Sequence, residues 1–432
     1  MKNPAKIVAY TVRRLYDEGL TTMSGGNLSL RTDNGDIWVT PSALDKGLLT
    51  EEDMMCVTSD GEIQGNTRVT SEFVVHKAIL DARPDKSAVL HAHSPYTLGF
   101  STARISPNVD VLAQASRRMG DRINISPYQK AGSANLAREV ADHLSGDSVM
   151  TILENHGLFT VGDSLDDCYY NVEYLELCAK TWMYCAQLSA NLRVLTEAEK
   201  EVLRTWTAGV PQPDDTLSVS EDEMTDASRI CTYMKRMQKR HINTSISGSM
   251  SVRTGDDSFI VTPFYTDVRD LTPDKLVKVS QGRCEAGKTP DEMWELHEAI
   301  YERNPEVTTI ITAVPEYLSA FCASDEELSS ESVWEAYYLL RDIPKVEFGR
   351  GREYFNSIAD RIGERVPTLM IRNDMYIVTS NDIQDAYDKV EVAESTAKGT
   401  VSTSLIKKPV KVEKEIIDMY DMLLDKMLFG RG

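Results

Sequence analysis

Residues 25–31 are Gly-Gly-Asn-Leu-Ser-Leu-Arg, and residues 247–253 are Ser-Gly-Ser-Met-Ser-Val-Arg. In both segments polar and apolar residues alternate after a glycine, a pattern that predicts a half-buried β-strand entered through a turn. The two segments lie about half a chain apart. This echo suggests that one structural unit occurs twice.

Three further pairs of segments repeat in the same order. They are 37–41 with 259–263, 76–84 with 297–305, and 151–155 with 369–373. Four ordered matches at similar spacing indicate an internal duplication of roughly 200 residues per copy, far too long a period for a solenoid. The segment that starts at Gly209 is rich in turn formers and lacks periodicity. We therefore predict a first domain over 1–208, a linker over 209–222 and a second domain over 223–432.

The first copy mixes helical and strand periodicities. Apolar spacing predicts helices over 5–18, 70–82, 136–144 and 164–188. Shorter apolar or alternating runs predict strands over 28–31, 37–40, 87–93, 149–153 and 159–161. Helices mixed with hairpins predict an α/β fold, with helices covering both faces of a mixed or largely antiparallel sheet.

Composition restricts the partners and the compartment. The net charge of −20 repels phosphate backbones and anionic lipids, so we expect neither a nucleic acid nor a membrane partner. No apolar stretch is close to the length of about 20 residues that a helix needs to span a bilayer. The cysteine count is odd, seven, without a Cys-x-x-Cys pair, which favours a reducing cytoplasm over a disulfide framework.

Three histidines follow apolar strands of the first copy. His91 and His93 are two residues apart, so strand alternation places both imidazoles on one face. His156 follows another apolar strand, and three neutral imidazoles are a typical ligand set of catalytic zinc. Glu72 opens a helix, where it is either a general acid/base beside the metal or a first-turn residue favoured by the helix dipole.

A second group of residues has the character of an anion site. Gly25, Gly26 and Asn27 come between a helix and a strand, where exposed amides can form an anion-binding nest or simply a turn. Hydroxyl side chains recur nearby in sequence order, and one of them lies close to a helix N-terminus, where phosphates bind well. These hydroxyl residues are Thr40, Ser42, Thr70 and Ser71.

Taken together, these motifs resemble the class II aldolase/adducin family over about residues 5–190. The motifs are Gly26-Asn-Leu-Ser-Leu-Arg31, Val39-Thr-Pro-Ser42, Thr70-Ser-Glu72 with His76, Arg83-Pro-Asp85, His91-Ala-His93 and Asn155-His-Gly157. The resemblance implies a three-layer αβα domain, present twice. It further implies one Zn²⁺ or other divalent ion per chain on His91, His93 and His156, and Glu72 as acid/base. His76 fits the family pattern but is not a ligand. The implied phosphate pocket consists of Gly26, Asn27, Thr40, Ser42, Thr70 and Ser71.

The function implied is a metal-dependent lyase that cleaves a small ketose phosphate or related sugar acid by retro-aldol chemistry, through a metal-stabilised enediolate. Pentulose-phosphate 4-epimerase and sugar-acid phosphate decarboxylase activities of the same family are alternatives. A non-enzymatic, adducin-like scaffold is another, although a scaffold has no reason to keep a metal site. Members of the family assemble as four-fold rings. The resemblance therefore implies that two of these tandem chains form a homodimer, in which the four domains make a pseudo-four-fold ring.

The chain departs from the family pattern at two positions and in its second copy. Thr70 replaces a common serine, and Ala43 replaces a usual glycine, which can reshape the phosphate pocket. The second copy loses every candidate ligand and the acid/base, which predicts one ion per chain. Its residues at the positions of Asn27, Glu72, His91, His93 and His156 are Ser249, about Met293, Thr312, Val314 and Asp374.

Overall fold

The computed structural model describes residues 3–120, 122–407 and 409–429, with side chains described as far as 423. The chain divides into two compact units. One comprises Met1–Asp110 and Ala115–Lys180, and the other Val111–Gln114 and Thr181–Gly432. The domain limits at 208 and 222 stay a prediction.

The predicted elements of the first copy occur in the predicted order, together with further helices and strands that the sequence patterns do not predict. Its helices are α1 (Pro4–Asp17), α2 (Phe73–Ala82), α3 (Pro95–Ala103), α4 (Ala113–Arg118), α5 (Ala134–His143) and α6 (Leu165–Leu188). Its strands are β1 (Asn27–Arg31), β2 (Ile37–Val39), β3 (Met55–Val57), β4 (Ile63–Gln64), β5 (Ala88–Ala92), β6 (Ile123–Ser126), β7 (Met150–Leu153) and β8 (Gly157–Gly162).

Within the described residues these strands form one sheet in the order β4-β3-β2-β1-β5-β8-β7-β6. All neighbours are antiparallel except β6 and β7, which are parallel. The sheet is thus mixed, as the sequence predicts. Its register sets Asn27 of β1 opposite His91 of β5, and His91 opposite Phe159 of β8. The centre of the sheet therefore places the polar residues of the motifs side by side.

The helix α2 owes its position to an apolar face. Val75 and Ile79 are fully buried in a cluster that includes Val89 and Phe159 of the sheet and Val140 of α5. Burying an aliphatic side chain of this size contributes about 1.5–3 kcal/mol relative to exposure. This packing fixes the N-terminus of α2, and with it Glu72, at the end of β5.

The second unit repeats this plan. Its helices are α7 (Glu197–Thr205), α8 (Met224–Lys239), α9 (Trp294–Arg303), α10 (Leu318–Cys322), α11 (Trp334–Leu340), α12 (Arg352–Ala359), α13 (Ile383–Thr403) and α14 (Lys414–Phe429). Its strands are β9 (Gln212–Asp214), β10 (Ser249–Gly255), β11 (Ser258–Val261), β12 (Val277–Ser280), β13 (Arg283–Glu285), β14 (Thr309–Ala313), β15 (Lys345–Val346), β16 (Thr368–Ile371) and β17 (Tyr376–Ser380).

The second sheet has the order β15-β16-β17-β14-β10-β11-β12-β13-β9 among the described residues. Apart from the edge strand β9, this is the strand order of the first sheet. Ser249 lies opposite Thr312, just as Asn27 lies opposite His91. Asn373 also repeats the left-handed φ of Asn155, 55° against 56°. The strand β9 lies inside the segment predicted as a linker and pairs with β13.

Nowhere in the described part of the chain is a helix both long enough and apolar enough to cross a membrane.

Candidate metal centre

The three candidate histidines converge at one end of the first sheet. His91 lies in β5 and His93 just after it, while His156 follows the left-handed Asn155 in the turn between β7 and β8. One ligand atom from each histidine lies within 4.8 Å of the others. The Nε2 atoms of His91 and His93 are 3.0 Å apart. Among the described residues, this trio is the group with the geometry to hold an ion.

A backbone contact fixes the tautomer of His91. Its Nδ1 lies 2.7 Å from the carbonyl oxygen of Leu158, and a carbonyl oxygen can only accept. Nδ1 therefore donates, and the lone pair of Nε2 faces His93. The ring also stacks on Phe159, with centroids 4.2 Å apart. Such an outer contact orients a metal-binding imidazole.

The surroundings keep the imidazoles of His91 and His93 neutral. Burial lowers the pKa of His91 well below its ordinary value, and the neighbouring His93 and His156 lower it further. Burial, followed by His156, also lowers the pKa of His93. A neutral imidazole is the form that binds a metal, so His91 and His93 can accept a cation without first losing protons.

Glu72 completes the cluster from the N-cap position of α2. Its Oε2 lies 3.3 Å from Nε2 of His91, and its Oε1 lies 3.6 Å from Nε2 of His156. The residue is only 6% exposed, and its Oε1 is buried without a hydrogen-bond partner among the described residues. A buried carboxylate oxygen is costly unless paired with a donor or a cation. Three neutral imidazoles beside such an oxygen are a donor set that fits a divalent ion.

Glycines give His93 its space. A Cβ at Gly25 would lie 2.8 Å from Nδ1 of His93, and a Cβ at Gly157 would lie 2.6 Å from its Cδ2. Neither contact is tolerable for a real side chain. The two glycines of the Gly-Gly-Asn and Asn-His-Gly motifs therefore let the His93 ring approach the backbone on both sides.

The predicted phosphate residues flank the start of β1. Gly26 has a φ of 67°, and a Cβ there would lie 2.8 Å from the carbonyl oxygen of His91. The Thr40 hydroxyl accepts a hydrogen bond from the Leu28 amide, and the Thr70 hydroxyl accepts one from the Glu72 amide. The backbone amide of Ser42 donates to the carbonyl oxygen of Arg68, which brings the loop that contains Ser42 next to the segment that leads to Thr70.

The structure does not test phosphate binding by these residues, and that role stays a prediction. The side-chain amide of Asn27 donates a hydrogen bond to the carboxylate of Glu72. Ser71 is exposed, and a Cβ at Gly132 would meet its backbone oxygen at 2.9 Å. Ala43 has a φ of 57°, a left-handed conformation that favours glycine. This explains why glycine is usual there.

Sequence analysis leaves His76 out of the ligand set, and the structure gives it a different place. The ring is fully buried and bonds to Oδ1 of Asn27 at 2.5 Å and to Oγ of Ser29 at 2.7 Å. Two signals point to this arrangement. His76 lies one helical turn after Glu72, and strand alternation puts Asn27 and Ser29 on one face.

The second unit replaces the cluster with an ion pair. Asp374, at the position of His156, accepts two hydrogen bonds from Arg350, at 2.6 and 2.9 Å. Both side chains are buried, 0% and 1% exposed. Met293 occupies the N-cap position of α9 that corresponds to Glu72 in α2. Thr312 takes the place of His91 opposite the first residue of the central strand.

The fold and the site define a class of duplicated, mixed-sheet α/β proteins with a candidate three-histidine metal site in the first copy. The sequence profile described as "Class II Aldolase and Adducin N-terminal domain" matches residues 6–183 and 228–401. These two matches cover well over half of the chain, one in each copy. The chain belongs to the class II aldolase/adducin family.

Several individual relatives share about a third of the aligned residues. An L-fuculose phosphate aldolase of Methanocaldococcus jannaschii is 34% identical over 168 residues, 39% of this chain and 89% of that protein. A 3-oxo-tetronate 4-phosphate decarboxylase of Haemophilus influenzae is 30% identical over 192 residues, 43% of this chain and 89% of that protein. A solved L-fuculose 1-phosphate aldolase matches 47% of this chain and 95% of its own, at 25% identity and a TM-score of 0.43.

Proposed function

We propose that the first domain is a divalent-metal-dependent lyase that cleaves a small ketose phosphate or related sugar acid by a retro-aldol reaction. The observation that supports this most directly is the convergence of three imidazoles with a buried carboxylate oxygen that lacks a donor. Relatives named as aldolases and decarboxylases of sugar phosphates support the substrate class.

His91, His93 and His156 would hold the ion, Zn²⁺ or another divalent metal. When bound, such an ion polarises a substrate carbonyl and offsets the negative charge that develops on oxygen as the carbon–carbon bond breaks. Gly26, Asn27, Thr40, Ser42, Thr70 and Ser71 are proposed to bind the substrate phosphate through amides and hydroxyls.

Glu72 is proposed to move the proton. Cleavage of an aldol takes a proton from the substrate hydroxyl, and the carbanionic fragment later takes one up on carbon. Oε2 of Glu72 accepts a hydrogen bond from Asn27 at 2.8 Å, whereas Oε1 is buried without a donor. Oε1 is therefore the oxygen that can accept the proton and return it.

A substrate screen with a matched pair of variants tests this function. Purified protein, loaded with Zn²⁺, is incubated with ketose phosphates and assayed for released aldehyde and dihydroxyacetone phosphate. Glu72→Gln keeps the shape and the bound ion but cannot take a proton, so we expect turnover to fall by roughly 10²–10⁴-fold. An exposed acid of the second unit, Asp360→Asn, is the control and should leave turnover unchanged. An active Glu72→Gln protein would place the acid/base elsewhere.

Decarboxylation is the second candidate, and the relative from Haemophilus influenzae favours it. Loss of CO₂ from a β-keto acid also leaves an enolate-like fragment, so the same residues serve both reactions. The screen therefore includes 3-oxo-tetronate 4-phosphate, with CO₂ release as the readout. Release of CO₂ from this acid, with no aldehyde released from any of the ketose phosphates, would indicate that the protein is a decarboxylase.

A further inference from the structure

Three buried hydrogen bonds lead from β1 and α2 to the carboxylate of Glu72. Ser29 Oγ lies 2.7 Å from Nδ1 of His76, and Nε2 of His76 lies 2.5 Å from Oδ1 of Asn27. Nδ2 of Asn27 lies 2.8 Å from Oε2 of Glu72. All four residues are at most 7% exposed. This Ser29–His76–Asn27 chain is thus shielded from competing solvent contacts.

The chemistry of the end groups allows only one direction of donation along this chain of hydrogen bonds. An ionised carboxylate only accepts, so Asn27 must present its amide nitrogen to Glu72 and its carbonyl oxygen to His76. An amide oxygen also only accepts, so Nε2 of His76 carries the hydrogen. Burial lowers the pKa of His76 to about 3, which leaves one hydrogen on the ring. Nδ1 then accepts from the Ser29 hydroxyl.

We propose that Ser29 and His76 are positioning residues, which lock the Asn27 amide so that it holds Oε2 of Glu72 and leaves Oε1 as the proton-transferring oxygen. This inference rests on the proposed function. Without the donor from His76, Oδ1 of Asn27 is left buried without a partner, and the amide is free to rotate away from Oε2 of Glu72. The two oxygens of Glu72 would then lose their distinct roles.

The second unit contains the same histidine without the acid. His297 lies between Ser249 and Ser251, with Oγ atoms 2.8 Å from Nε2 and 2.6 Å from Nδ1. Like His76, it is fully buried. Met293 occupies the position of Glu72, and the carboxylate that Ser249 contacts instead, that of Asp291, lies in a unit that lacks the three histidines. This histidine can therefore stabilise the strand-to-helix packing without positioning an acid/base beside a metal site. His297 is therefore a matched control, since it separates packing from positioning.

The first test compares His76→Leu with His297→Leu in the full, metal-loaded chain. Both changes remove a buried imidazole, so we expect similar losses of stability in urea. Only His76→Leu should lower kcat, by roughly 10–100-fold, with metal content unchanged. His76→Gln supplies an amide donor in place of the ring and should recover most of the lost kcat. Equal kcat losses in the two Leu variants, or no rescue by Gln, would overturn the proposal.

The second test needs no activity. Long-range ¹H–¹⁵N spectra of ¹⁵N-histidine-labelled, metal-free protein report the tautomer of each of the seven histidines, and His76→Gln identifies the signal. We expect His76 to carry its hydrogen on Nε2, and Ser29→Ala to weaken this preference. A hydrogen on Nδ1 would overturn the direction of the chain. The tautomer of His76 can be measured even if no substrate is turned over, so this test is independent of the proposed function.

Discussion

The buried pair of Arg350 and Asp374 allows a quantitative prediction. Asp374→Asn removes the negative charge but keeps the size of the side chain, so the guanidinium stays buried beside a neutral amide. Breaking a buried ion pair by removing one partner costs about 3–5 kcal/mol, because the other charge is left uncompensated. The side chains are 1% and 0% exposed, with two short hydrogen bonds, which puts this pair fully in the buried class.

The control is an exposed pair of the same unit. Arg303 and Asp360 are 2.7 Å apart, but their side chains are 31% and 64% exposed. Exposed pairs contribute about 0–1 kcal/mol, so Asp360→Asn should be nearly neutral. Urea unfolding of the full chain, followed by circular dichroism, measures both. With a slope of about 2 kcal/mol/M, Asp374→Asn should lower the transition midpoint of its domain by about 2 M.

Equal midpoints for Asp374→Asn and Asp360→Asn would refute this reasoning. A second variant sharpens the test. Replacing both partners, Arg350→Met with Asp374→Leu, removes the charge together with its counter-charge and should be much less destabilising than Asp374→Asn alone. If the double variant were the less stable of the two, the ion pair would be contributing net stability.

Three further predictions address the backbone, pH and assembly. Ala43→Gly should raise the free energy of unfolding by roughly 0.5–1 kcal/mol, because relief of the left-handed φ of 57° outweighs the added entropy of the unfolded chain. An unchanged midpoint of unfolding in urea would contradict this. Burial lowers the pKa of both His76 and His297 to about 3, so the stability that these two neutral histidines contribute should be lost as pH falls from about 6.5 toward 3, where the unfolded chain takes up protons that the folded chain does not. His297→Gln should flatten this part of the pH dependence, and an equal slope would contradict it. Light scattering should give a mass near twice 48.4 kDa, as expected for the proposed homodimer, and a stable monomer with full activity would exclude the pseudo-four-fold ring.

The sequence predicts the fold well because its signals are local or repeated. Strand alternation and helical spacing place β1, β5 and α2 within a few residues of their observed bounds. The duplication is visible because both copies keep their core patterns. The short strand β9 is missed because a run of prolines and polar residues predicts no periodic structure, although its backbone still pairs with β13.

The site is only partly predictable for a physical reason. Period-two alternation brings His91 and His93 together, but nothing local to His156 or Glu72 says that they meet. Periodicity specifies the faces on which Asn27, Ser29 and His76 lie, but not the hydrogen bonds that join them across two elements. The pairing of Arg350 with Asp374 likewise depends on a long-range contact between a loop and a strand turn.

We propose that one domain of the two has kept a metal centre. Metal analysis of the purified full chain, after dialysis and reloading with Zn²⁺, tests it most directly. We expect close to one ion per chain, its loss in His91→Ala, and its retention in Thr312→Ala, the same position of the second copy. Two ions per chain, or a His91→Ala protein with full occupancy, would contradict the account.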